Sequence, residues 1–173
     1  NKAYSYFKDQ ERQVKELTNL LKSKDVKAAV EKLILDLKKQ EKQLALVKKV
    51  FSSNLSKEFL QRADSIDGIR LIAEEVSLEA NEMKQICLSL KSSAKNLVVV
   101  LVAKKQEKLL VNISVTDDLI NKGIEADKMI KEIAKLINGG GGGQSTFATA
   151  GGTTVTPEII SKVLSLVKEM IRK

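Results

Sequence analysis

Seven of the nine glycines in this chain fall within fourteen residues, from Gly139 to Gly152. The stretch reads Gly139-Gly140-Gly141-Gly142-Gly143-Gln144-Ser145-Thr146-Phe147-Ala148-Thr149-Ala150-Gly151-Gly152. Glycine at that density costs more backbone entropy on folding than any other residue. The cost is tolerated where backbone must pass close to something bulky or take a positive φ. Between two helix-like segments, the stretch reads as a functional or tightly packed loop. Exposed amides beside a helix end suit an anion, and a nucleic-acid backbone is one such ligand. A flexible linker is the competing reading. Against it, the tract runs into Phe147 and an Ala-x-Ala-Gly-Gly step instead of further serine and polar residues.

The chain has no histidine and one cysteine. Ser-His and Cys-His nucleophilic machinery is therefore excluded, as are ordinary zinc sites and an internal disulfide. Cys87 sits at helical spacing with Met83, Ile86 and Leu90, which makes it a core residue. Asp117-Asp118 and Glu74-Glu75 are adjacent pairs whose side chains diverge, so neither pair forms a metal site. No catalytic residue and no metal ligand is assigned. Trp is absent and aromatics are 3%, which argues against base stacking on exposed rings. The longest apolar run, Leu97 to Ala103, is far short of a membrane span, and no secretory signal is visible. The expected compartment is the cytoplasm. A start at Asn instead of Met reads as a piece of a longer protein.

Net charge is +8, and it is uneven. Residues 1–58 hold 14 Lys/Arg against 8 Asp/Glu, and residues 59–173 hold 16 against 14. Such an excess fits a polyanionic partner, although a solvated lysine-rich helix face gives the same count.

Residues 4 to about 22 read as a helix with Phe7, Val14, Leu17 and Leu21 on one stripe. Asp25 can cap the next one. There, Val26, Val30, Leu33, Leu37, Gln40, Leu44, Val47 and Phe51 step by four and three, a heptad seam broken once by Gln40. The two helices suggest an antiparallel hairpin. The seam is long enough for its far end to pair with a second copy, so Val26, Val30, Leu33, Leu37, Leu44 and Val47 are the candidate dimerisation residues. Ser52-Ser53-Asn54 reads as the end of that helix, giving a helical segment over 1–58 and a globular domain over 59–173. Asp67-Gly68 between two strand-like runs signals a type I′ hairpin. Residues 79–91 read as a helix, and Leu97–Ala103 as a central buried strand. Lys104-Lys105-Gln106-Glu107 reads as a turn. The next strand alternates, with Leu109, Val111, Ile113 and Val115 inward and Asn112 and Ser114 on the other side. A helix follows through Ile137, closed by Asn138-Gly139. After the glycine stretch, Thr156 and Pro157 open a last helix. The fold class is α+β: a long helical hairpin or coiled coil, then a small, mainly antiparallel sheet covered by helices.

From about Asp64 to Met170 the chain resembles the C-terminal domain of alanyl-tRNA synthetase, a member of the DHH-associated domain family. The residues that carry the resemblance are Ile66-Asp67-Gly68-Ile69, the Leu97–Ala103 strand and Val115-Thr116-Asp117-Asp118. Most specific is the glycine tract running into Ala148-Thr149-Ala150-Gly151-Gly152. Residues 4 to 50 resemble the helices that precede that domain. The resemblance implies a non-catalytic module that binds tRNA at its elbow, dimerises, and supports aminoacylation and editing by the parent enzyme. It implies alanine tRNA as partner. ATP, magnesium and zinc belong to other domains of the parent family, and no cofactor is expected in this stretch. It also implies that Gly140, Gly141, Gly142, Gly143, Gln144, Ser145, Thr146, Ala148, Ala150, Gly151 and Gly152 contact RNA. Lys104 and Lys105 are reserve phosphate contacts. The family tract reads Gly-Gly-Gly-Arg-Pro-Asp where this chain has Gln144, Ser145 and Thr146, so a cation and a rigid proline are replaced by short polar groups. Two alternatives remain. One is the accessory substrate-binding domain of a DHH-type phosphoesterase, whose glycine tract is usually followed by a histidine. The other is a coiled-coil adaptor that binds protein.

Overall fold

The computed structural model describes residues 2–172, and the side chains of residues 4–172. It divides into two compact units, Asn1–Lys49 and Val50–Lys173.

The first unit is helical. Helix α1 spans Lys2–Leu21, and α2 spans Val26–Arg62. Asp25 caps α2 as expected, its Oδ1 accepting the Ala28 N–H at 2.9 Å. The heptad residues do line one side of α2, but α1 does not cover them. Val30, Leu33, Leu37, Leu44 and Val47 are 41–65% exposed, and Val26 is half-buried. The stripe on α1 is open too, at Phe7, Val14 and Leu17. Ser52-Ser53-Asn54 does not end α2, which continues to Arg62. No glycine or proline interrupts it there, and the Ser56 hydroxyl donates to the Ser52 carbonyl at 2.8 Å, satisfying serine within the helix.

The second unit is a six-stranded mixed sheet ordered β1-β2-β3-β4-β6-β5. Its strands are β1 Asp64–Ile66, β2 Ile69–Glu75, β3 Leu97–Lys105, β4 Lys108–Val115, β5 Gly139–Gln144 and β6 Phe147–Gly152. Among the described residues only β2 and β3 pair in parallel. The Asp67-Gly68 turn takes the two positive φ values (52° and 77°) that a type I′ hairpin needs. The remaining helices are α3 Ala80–Ser93, α4 Asp117–Ile120, α5 Ala126–Leu136 and α6 Pro157–Ile171. The Thr156 hydroxyl accepts the Ile159 N–H at 3.3 Å and caps α6.

Strand alternation divides the core into two layers. One face of the sheet offers Val98, Val100, Val102, Val111, Ile113, Ala148 and Ala150 to Ile130, Ile133, Ile160 and Val163 of α5 and α6. The opposite face offers Ile72, Leu97, Val99 and Leu101 to Met83, Ile86, Cys87 and Leu90 of α3, and to Phe59 from the end of α2. Burial pushes the Cys87 thiol up to about 12, so it stays protonated and inert.

Two readings of the strands change. Lys104 and Lys105 belong to β3. The turn is the pair Gln106-Glu107, with Gln106 at φ 54° and Lys105 opposite Lys108. Asn112 and Ser114 are not solvent-facing, because α3 covers that side of β4 and leaves them 4% and 1% exposed.

Candidate nucleic-acid interface

The glycine stretch is a β-hairpin and not a loop. Gly139–Gln144 pairs with Phe147–Gly152 residue for residue, from Gly139 opposite Gly152 to Gln144 opposite Phe147. An extended chain needs only its N–H and C=O groups to enter a ladder, so low β-propensity did not prevent pairing. Two backbone bonds anchor the turn. The Ser145 carbonyl accepts the Ala126 N–H at 2.7 Å, and the Thr146 carbonyl accepts the Val115 N–H at 3.0 Å. The left-handed residue that closes α5 is Asn138, at φ 49°, and Gly139 is already strand.

Alternate glycines do different work. A Cβ at Gly139, Gly141 or Gly143 would lie 2.0 Å from the Gly151 carbonyl oxygen, 2.7 Å from that of Thr149 or 2.3 Å from that of Phe147. These are backbone atoms of the adjoining strand, which cannot swing aside. A Cβ at Gly140 or Gly142 would meet nothing within 4 Å. Gly152 is held tight as well, its would-be Cβ 2.2 Å from the Ile137 carbonyl oxygen.

The open glycines share a face with Phe147, Thr149 and Gly151 of β6 and with Asn112 and Ser114 of β4, as the register dictates. That is the face covered by α3 further along the sheet. Where α3 stops covering it, the edge of the sheet forms a shelf of bare peptide. All six residues of β5 are exposed, as is Thr149. Lys84 of α3 borders the shelf, with Nζ 5.8 Å from the centre of the Phe147 ring. The Ser114 hydroxyl is enclosed and has no hydrogen-bond partner among the described residues.

The hairpin brings Gly140, Gly142, Gln144 and Gly151 together on or beside the shelf, with Ser145 and Thr146 at its turn. It turns the side chains of Ala148 and Ala150 inward, to the layer under α5 and α6. Lys104 and Lys105 stand at the opposite end of the ladder, Lys104 in the row of Leu109 and Gly152 and Lys105 one residue further on. Lys105 is paired with Glu79, and Lys104 lines an open cleft with Thr153 and Val155. Sequence reasoning missed Lys84 and Thr149. The Phe147-Thr149-Gly151 alternation against Ala148-Ala150-Gly152 is the signal that could have found the last of these.

A larger cleft of about 590 Å³ lies at the C-terminal end of α3. Its charges largely satisfy one another. Lys91 Nζ is 3.0 Å from Asp117 Oδ1, and Asp118 Oδ2 accepts the Asn96 N–H at 2.7 Å. Burial alone raises the Asp118 carboxyl. Hydrogen bonds from the Thr116 side chain and the Asn96 and Asp118 backbone, with Lys122 nearby, outweigh it and hold the group below the usual carboxylate range. Among the described residues no group of three or more Cys, Asp or Glu side chains is placed to hold a metal ion, and no helix is long and apolar enough to cross a membrane.

The model of the DHHA1 domain matches residues 68–173. The chain belongs to the DHHA1 domain family. This DHHA1 chain is 31% identical over 173 residues, 98% of its length, to the alanine–tRNA ligase of Alkaliphilus metalliredigens (strain QYMF). It is 30% identical over 173 residues to that of Bacillus cytotoxicus. It spans 19% of the length of each of these relatives. The crystal structure of the C-Ala domain from Aquifex aeolicus alanyl-tRNA synthetase aligns with a TM-score of 0.59 and 25% identity, covering 64% of this chain and 98% of that one. The DHHA1 chain thus resembles the C-Ala domain of alanyl-tRNA synthetase.

Proposed function

We propose that this chain is a non-catalytic tRNA-binding and oligomerisation module of an alanyl-tRNA synthetase. It engages the elbow of alanine tRNA in the cytoplasm and supports aminoacylation and editing by the parent enzyme. The observation that carries the reading is the glycine shelf. A peptide surface free of side chains, exposed at the edge of a rigid sheet, admits a folded RNA backbone closely. Lys84 supplies a cation at its border. Residues 59–173 carry this surface in the proposal, and residues 1–58 pair two copies through Val26, Val30, Leu33, Leu37, Leu44 and Val47. An open row of branched aliphatics at heptad spacing supports that pairing, because such a row gains stability by burial against a second helix.

Titration of labelled alanine tRNA with the chain at several salt concentrations tests the binding role. Phosphate contacts make affinity fall steeply with salt. A chemical footprint then locates the contact. Protection concentrated at the elbow supports the reading, and scattered protection or no binding at low salt refutes it. Sedimentation tests the pairing, and a monomer at tens of micromolar removes it.

A further inference from the structure

The side of α2 turned away from its heptad seam carries unbalanced charge. At 3.6 residues per turn, Lys32, Lys38, Lys39, Lys42 and Lys49 fall within an arc of about 120°, opposite Val30, Leu33, Leu37, Leu44 and Val47. All five lysines are exposed. Among the described residues, no carboxylate lies within ion-pairing distance of any of them. Glu31 shares their arc, and it is engaged with Lys27 at 3.9 Å. Other helices match their cations in place. Helix α1 pairs Arg12 with Asp9 and Glu16, and Lys15 with Glu11. Helix α5 pairs Lys128, Lys131 and Lys135 with Glu125, Asp127 and Glu132. Helix α2 instead sets Lys42 four residues after Lys38 and three after Lys39. At those spacings side chains are neighbours, and like charges destabilise the helix.

Resting on the tRNA reading above, we infer that this lysine face of α2 is a second RNA contact, one that holds sugar-phosphate backbone by charge. From Lys32 to Lys49 the helix runs about 26 Å at 1.5 Å per residue, which accommodates several phosphates of one strand. A lysine ammonium is a point charge on a flexible stem. It suits phosphates and reads no base. Residues 32–49 contain no aromatic ring on which a base could stack. Bound phosphates also screen the repulsion of Lys42 with Lys38 and Lys39. An anionic lipid surface offers negative charge as well, but a basic amphipathic helix lies on it with the apolar stripe inserted. Asp36 and Glu41 flank that stripe, one on each side, and insertion would bring both against the lipid headgroups. RNA on the outer side meets the lysines and leaves the seam free to pair with a second copy.

The test titrates alanine tRNA transcript at several salt concentrations with the full chain and two triple variants. The first combines Lys38→Gln, Lys39→Gln and Lys42→Gln. Losing three phosphate contacts should lower the slope of log affinity against log salt by about two to three units. Its helicity by circular dichroism and its sedimentation should match the wild type, because glutamine is as good a helix former as lysine and the seam is untouched. The second variant, Lys128→Gln with Lys131→Gln and Lys135→Gln, removes the same net charge from lysines that already have carboxylate partners. It should change the slope much less. An unchanged slope in the first variant, or equal changes in both, overturns the inference and leaves tRNA binding by the shelf standing. Flotation of the wild type with phosphatidylserine vesicles, lost in the first variant while its tRNA slope stays unchanged, assigns the face to lipid and overturns it too. A wild type that does not bind tRNA at low salt overturns both readings.

Discussion

The alternation along β5 makes a prediction that neighbouring, chemically identical substitutions should test. At Gly142, alanine enters open space, with nothing within 4 Å of its methyl group. Replacing glycine where the backbone is compatible stabilises by about 0.4–1 kcal/mol, mainly by restricting the unfolded chain. At Gly141, the same methyl group would sit 2.7 Å from the Thr149 carbonyl oxygen and 2.6 Å from the Ala150 Cβ. Those atoms belong to β6, which is itself fixed against β4, so the hairpin must distort. Overpacking of this kind costs about 1–3 kcal/mol. The two alanine variants should therefore differ by about 1.4–4 kcal/mol, with opposite signs relative to wild type. In a chain of this size about 1 kcal/mol moves the thermal midpoint by roughly 2–4 °C. Gly142→Ala should melt slightly above wild type and Gly141→Ala several degrees below it, with urea midpoints in the same order. Equal midpoints, or Gly142→Ala as the less stable, would refute the assignment of one close-packed and one open set of glycines.

Three further outcomes follow from the same geometry. Gly142→Asp should fold, because its side chain projects into open space, yet bind tRNA at least tenfold more weakly by blocking the shelf and repelling phosphate; unchanged affinity by fluorescence anisotropy would count against the shelf as a contact. Lys84→Ala should lower the slope of log affinity against log salt by about one unit, whereas Lys105→Ala, whose ammonium is paired with Glu79, should change it less. Asp118, held below its usual range, contributes stability above its unfolded pKa that is lost as pH falls through its lower folded value; Asp118→Asn should flatten acid unfolding below about pH 4, and an unaltered acid limb would remove that role.

Most helices and the strands outside the glycine stretch were legible because burial and period agree in them. Met83, Ile86, Cys87 and Leu90 repeat at helical spacing, and they are the residues α3 buries. Leu97–Ala103 is apolar on both sides, and both sides are covered. Legibility failed where the deciding partner is remote in sequence. The glycine stretch reads as a loop because glycine has no strand preference of its own. Its extended form is set by the ladder to β6, which continues to β4. Nothing local distinguishes Gly141 from Gly142, since the distinction lies in the carbonyls of the strand alongside. Asn112 and Ser114 obey the period of a half-solvated strand, and only the position of α3 shows that their side is closed. The end of α2 was misplaced for another reason. Ser52-Ser53-Asn54 breaks the apolar pattern without breaking the helix, because serine can return its hydroxyl to the preceding turn.

The most direct test is amide hydrogen exchange of the chain with and without alanine tRNA, read along residues 139–152. Contact of RNA with the glycine shelf predicts slowed exchange in β5 and at Thr149, with the Gln106-Glu107 turn unaffected. Slowed exchange confined to that turn and its flanking lysines, or none in β5 under saturating tRNA, would contradict it.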